Sequence, residues 1–260
     1  MRKYFLFSWI SFLNLIEYRV NFLWEIFGSL TNMLMMYALW VAILGSGFIN
    51  TSYTNTSIGF YYLFITFIGV ISNTNYWRLT NLINSGNLSA EIIRPYNFFL
   101  KELVQFIPHK ILQSLVFSLA LIIFFSLGIT IHFGLFQIFL FAISTFLTIL
   151  SKFYIALSLG GLGFWFRRVH GFGSLFWNLG GLFSGELIPV DLLPHTLFLI
   201  SAYLPFRSLA FFPVQIILGK INSSEIVSGF AVQIIWLAVF IFIAKLLWKK
   251  GLSQYDSAGH

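Results

Sequence analysis

Apolar runs of about 20 residues, the length a helix needs to cross about 30 Å of hydrocarbon, recur through most of this chain. Only 9% of its 260 residues are charged, against about 25% in a soluble domain. That is too little charge to cover a water-facing surface. The chain therefore reads as an all-α polytopic membrane protein, one transmembrane domain over residues 1–260. With no cysteine in the sequence, disulfides, thiolate nucleophiles, iron–sulfur centres and cysteine-ligated zinc are excluded. The start lacks the small-residue cleavage site of a signal peptide, and Glu17 and Arg19 interrupt its apolar stretch, so it reads as retained.

Residues 1–20 mix apolar clusters with Arg2, Lys3, Asn14, Glu17 and Arg19, a pattern that suits a helix lying in the membrane interface. The spacing predicts six crossings: Phe22–Leu44, Ile58–Tyr76, Ile111–Ile129, one long or broken helix within Phe133–Phe166, Phe172–Leu187, and Ile226–Leu246. Pro108 is placed in the first turn of the third, where its missing N–H is harmless. A turn over Gly128–Gly134 leads to the fourth, and a frayed tail reaches His260. Residues 79–107 form a polar connection expected to hold one or two short amphipathic helices. Residues 188–221, punctuated by Pro189, Pro194, Pro205 and Pro213, fit no uninterrupted span and read as two short re-entrant helices. Such breaks are tolerated in a membrane only where protein or water satisfies the freed backbone groups.

The net charge of +7 takes its meaning from position. In six crossings, 12 of the 15 Lys and Arg fall at or near the side holding the termini; Arg207 and Lys220 lie opposite and Lys152 sits within the fourth segment. The positive-inside rule then places both termini in the cytoplasm and leaves no reason to invoke a nucleic-acid partner. The five histidines are scattered without ligand spacing, and no GxxxxGK[ST] phosphate loop is present. No catalytic, metal or cofactor site is therefore expected. Lys152 is the one candidate for an ionisable group at depth. Its plainer reading is a lysine extending along its own stem toward the cytoplasmic interface. The cytoplasmic stretch GNLSAEIIRPYNFFLKE, residues 86–102, suits either docking on a soluble partner or anchoring in lipid.

Residues 183–220, FSGELIPVDLLPHTLFLISAYLPFRSLAFFPVQIILGK, resemble the end-of-fifth-helix signature of the type-two exporter permeases of ATP-binding-cassette (ABC) transporters. There, Ser-Gly leads into an apolar-Pro pair, a second Pro, Leu-Pro-Phe and a last Pro before Gly. EIIRPYN, residues 91–97, is similar to the Arg-Pro stretch of a bacterial subfamily, departing at Tyr96 where Leu is common. GFWFRRVHG, residues 163–171, fits the connection between the fourth and fifth helices less distinctively.

This resemblance implies a half-channel without catalytic chemistry of its own. It would pair with a second permease, identical or related, above two ATPase (nucleotide-binding) subunits that carry ATP and Mg²⁺, among the lipids of a bacterial plasma (inner) membrane. It further implies that Glu91, Arg94 and Lys101 make polar contacts with the ATPase, that Pro95 sets the local φ, and that Tyr96 and Phe98 act as apolar anchors. The re-entrant region would cap the extracellular end, with Gly185, Glu186, Pro189, Asp191, Pro194, Pro205, Arg207 and Pro213 as its gate residues. The resulting function is ATP-driven export of a hydrophobic or amphipathic substrate. The rivals are a gradient-driven transporter or channel, and a membrane scaffold or assembly protein.

Overall fold

The computed structural model describes residues 2–47, 51–126 and 133–255. The turn expected at Gly128–Gly134, the last residues of the third expected crossing, His132 and the tail 256–260 lie wholly or largely outside them. Among the described residues the chain is helical, with no strand. In order run α1 (Arg2–Glu17), α2 (Arg19–Gly45), α3 (Asn55–Ile71), α4 (Tyr76–Asn84), α5 (Leu88–Ile92) and α6 (Phe98–Ser126). The second half comprises α7 (Leu135–Gly161), α8 (His170–Phe183), α9 (His195–Tyr203), α10 (Pro205–Leu209), α11 (Phe211–Ile217) and α12 (Ser223–Gln254).

Local chemistry sets several of these boundaries. Thr54 and Ser57 close a capping box at the start of α3, Asn75 accepts from the N–H groups of Trp77 and Arg78 to start α4, and Asn222 with Glu225 caps α12. Each pairing satisfies amide donors that the first helical turn leaves open.

Five helical stretches are long and apolar enough to cross a membrane: Arg19–Gly45, Asn55–Asn84, Phe98–Ser126, Leu135–Phe164 and Ser223–Gln254. The segment expected as the fifth crossing differs. α8 has 14 residues, about 21 Å at 1.5 Å per residue, short of the hydrocarbon thickness. The third crossing also differs from expectation, because its helix begins at Phe98 and Pro108 lies in its interior rather than in its first turn. Pro108 cannot donate to the carbonyl of Val104, yet α6 runs through it without interruption. The region after α8 holds three short α-helices and a 3-10 turn at Val190–Leu192 rather than two helices.

The core is built around α3 and α11. Ile58, Phe60, Tyr61, Tyr62, Leu63 and Ile68 of α3 are almost completely buried, and every residue of α11 is buried. By contrast α2, α6 and α12 leave Trp24, Met35, Leu119, Ile122, Ile235 and Phe242 exposed, the apolar exterior a bilayer covers. Close approaches depend on glycine: a Cβ at Gly229 would fall on the Phe212 ring, and one at Gly173 on the Tyr76 hydroxyl.

Polar side chains also join the helices. Gln233 of α12 is fully buried. Its amide nitrogen lies 2.9 Å from the Ser144 carbonyl, 3.1 Å from Thr148 Oγ1 and 3.1 Å from the Ser208 carbonyl, while Ser144 Oγ donates to Gln233 Oε1 at 3.0 Å. Gln233→Leu should lower unfolding stability in detergent by about 1–2 kcal/mol, read as a shift in a denaturant titration. Glu225→Gln, which touches only a cap at the helix end, should shift the same titration less.

Candidate functional site

The cytoplasm-facing connection of the sequence reading is a compact hairpin of α4, α5 and the start of α6, with α1 laid against it. Lys101 Nζ reaches Glu91 Oε2 at 2.5 Å, and the Tyr96 hydroxyl donates to the same oxygen at 2.6 Å. Lys101 also lies 5.4 Å from the Phe7 ring centre and 5.3 Å from that of Tyr96. α1 closes this cluster: Lys3 Nζ donates to the Pro95 carbonyl at 3.2 Å, the Asn97 N–H donates to the Tyr4 hydroxyl at 3.1 Å, and Phe7 packs edge-on against Tyr96.

The predicted hairpin residues thus divide in two. Glu91, Tyr96 and Lys101 are committed to one another, and Phe98 is buried against Trp248. Arg94 is more than half exposed and 3.9 Å from Glu91, and Ile93 beside it is 83% exposed. An apolar residue this open at the tip of a braced hairpin is a feature composition did not single out. Burial raises the Glu91 carboxyl, but the hydrogen bonds from Lys101 and Tyr96 and the charges of Lys101 and Arg94 outweigh it and hold its pKa below the ordinary value.

At the opposite end the chain breaks after α8 instead of continuing. Gly185 adopts φ +86°, a conformation that favours glycine. The carbonyls freed by the break are satisfied by aromatic side chains: Tyr61 Oη donates to the Gly185 carbonyl at 2.8 Å, while Tyr62 Oη at 3.0 Å and Trp40 Nε1 at 3.3 Å both donate to Leu187. Glu186 lies 3.9 Å from Lys152 Nζ. Lys152 is buried, with its ammonium 5.6 Å from the Trp177 ring centre. It therefore turns inward rather than extending to the interface.

Asp191 joins a second polar cluster. It accepts from the Tyr53 hydroxyl at 3.2 Å, Gln215 Nε2 donates to that hydroxyl at 2.8 Å, and Lys220 Nζ sits 3.1 Å above the Tyr53 ring. Burial, and then the Asp191 charge, raises the Tyr53 phenol. Arg207 stacks over Phe198 at 4.7 Å and Phe211 at 5.6 Å. Of the proline positions, Pro205 starts α10, Pro213 lies inside buried α11, and Pro189 and Pro194 flank the 3-10 turn.

The sequence reading missed a further cluster. His109 Nε2 is 2.9 Å from Glu25 Oε2, Gln113 Nε2 donates to Glu25 Oε1 at 3.0 Å, and Lys110 Nζ donates to the Val70 carbonyl at 2.9 Å. The available signal was the spacing of His109 and Gln113, which at i and i+4 share one helix face.

Two measurements probe these arrangements. Tyr61→Phe leaves the buried Gly185 carbonyl without its donor and should cost about 1–3 kcal/mol of stability in detergent. Because the Glu91 pKa is lowered by folding, its stabilising contribution is present above its unfolded pKa and lost as pH falls through the lower folded one. The difference in stability between wild type and Glu91→Gln should therefore be largest near neutrality and shrink as a titration moves below pH 4.5, the group's ordinary value.

A search of curated proteins finds no match. A family model described as "ABC-2 family transporter protein" matches residues 30–259, which takes in every helix from within α2 onward. Such proteins are transmembrane components, generally non-catalytic, and family membership implies partnership with ATPase subunits. The chain belongs to the ABC-2 transporter family and is a multi-pass membrane permease of the ABC type.

Proposed function

We propose that this chain is the permease half of an ATP-driven exporter of a hydrophobic or amphipathic substrate in a bacterial plasma membrane. It pairs with a second permease, identical or related, above two ATPase subunits that bind ATP and Mg²⁺, and both its termini are cytoplasmic. α8 serves as a short fifth crossing, and residues 188–221 re-enter the membrane to cap the outer end of the path. The observation that carries this reading is the braced hairpin. An open Ile93–Arg94 tip on a base locked by Glu91, Tyr96 and Lys101 supports the transfer of a push, because a base that cannot deform moves its neighbours instead of absorbing displacement.

In this mechanism ATP-driven closure of the ATPases displaces the tip. The hairpin carries α6 with it, and α1 follows through its contacts with Pro95, Tyr96 and Asn97. Coupling requires that nucleotide and substrate favour the same member of a two-state pair. The outer state is held shut in part by the Tyr53–Asp191–Gln215 cluster.

A second reading, gradient-driven transport, draws on buried Lys152 and its half-exposed partner Glu186, since ionisable groups at depth mark proton and ion pathways. Reconstitution separates the two. Liposomes holding the chain alone should show no flux until ATPase and ATP are supplied, whereas flux driven by an ion gradient alone would favour the second reading. Ile93→Asp should weaken ATPase association by about tenfold or more, about 1.4 kcal/mol, measured by co-purification and by flux. Undiminished association in an Ile93→Asp, Arg94→Glu double variant would remove the tip from the interface.

A further inference from the structure

Two cavities meet at α6. One, an open cleft of about 490 Å³, is lined by α1, the start of α2, the α3–α4 link and α6. Amides dominate its polar lining, among them Asn14, Asn21, Asn73 and Gln105, and its charged or titratable members are Tyr18, Glu25, His109 and Lys110. The other, of about 430 Å³, runs between α6 and α7 along Ile107, Leu115, Phe146, Leu150 and Phe153. Thr74, Phe106 and Lys110 border both. A polar chamber thus adjoins an apolar one at a shared wall.

The charges narrow the choice of ligand. Glu25 spends one oxygen on His109 and the other on Gln113, leaving lone pairs on each. Lys110 donates to Val70 and, at 3.4 Å, to Gln113 Oε1, two of its three N–H groups. A purely anionic headgroup would face the Glu25 carboxylate, and a purely cationic one would face Lys110. A headgroup carrying both signs meets each with its opposite, and the surrounding amides both donate and accept.

We infer that the paired chambers form one seat for a zwitterionic membrane phospholipid, its headgroup between Glu25 and Lys110 and an acyl chain along α6 and α7. The seat lies apart from the Glu186 break and depends on neither nucleotide nor transport. α1 contributes Ser11 and Asn14 to the polar chamber and, one end away, Lys3, Tyr4 and Phe7 to the hairpin brace. The bound lipid therefore ties down the helix that backs the coupling hairpin.

The test uses the full chain in mild detergent, without any ATPase, so its outcome is independent of the export reading. Native mass spectrometry after exposure to phosphatidylethanolamine or phosphatidylglycerol should show one zwitterionic lipid retained per chain in preference to the anionic one. Glu25→Gln and Lys110→Met should each weaken that retention by about tenfold. Leu115→Trp fills the apolar chamber from a position that is already 56% exposed, so folding is spared, and it should weaken retention with all charges intact. Soluble glycerophosphoethanolamine should compete poorly, because it lacks the chain. Equal or preferred retention of the anionic lipid, no retained lipid, unchanged binding in Leu115→Trp, or full competition by the soluble headgroup would each overturn the assignment.

Discussion

The architecture rests on how three aromatic side chains satisfy a broken backbone. After α8 the chain stops being helical while still inside the packed protein, and in lipid an unpaired carbonyl there costs several kcal/mol. Tyr61, Tyr62 and Trp40 supply the missing donors to Gly185 and Leu187. Two of them stand on α3, the most buried of the long helices, so the same element that forms the core also licenses the break. Residues 188–221 can then fold back as short helices, with α11 wholly enclosed between α3 and α7.

At the other end the organising interaction is electrostatic. Glu91 accepts from both Lys101 and Tyr96, and α1 covers the group with Phe7. A salt bridge on an open surface contributes little because water and salt screen it. This one is largely shielded, with Lys101 almost fully buried, and it closes the short α5–α6 connection on itself. The result is a braced base with an open tip at Ile93 and Arg94.

Much of this was legible from the chain alone. The apolar runs marked all five long membrane-scale stretches, and the Ser-Gly…Pro…Leu-Pro-Phe pattern over residues 183–220 pointed to the family that residues 30–259 match. The polar hairpin over residues 79–107 does contain two short helices. Pro108 was misplaced because a proline is favoured in a first helical turn but does not fix the start of a helix, and α6 extends back to Phe98. Lys152 was read as extending outward because the partner that turns it inward, Glu186, is 34 positions away in the sequence.

The sequence by itself determined the solvent, the helical class and the family, because each follows from properties additive along the chain: apolar length, sparse charge and local motif. Which polar groups meet was decided only by the tertiary structure. Glu25 with His109, Asp191 with Tyr53, and Gln233 with Ser144 join residues 84, 138 and 89 positions apart. Apolar helices of similar composition do not state which faces will touch. That choice depends on the shapes of all the helices at once, on glycines such as Gly229 that let backbones approach, and on the requirement that each buried donor find an acceptor.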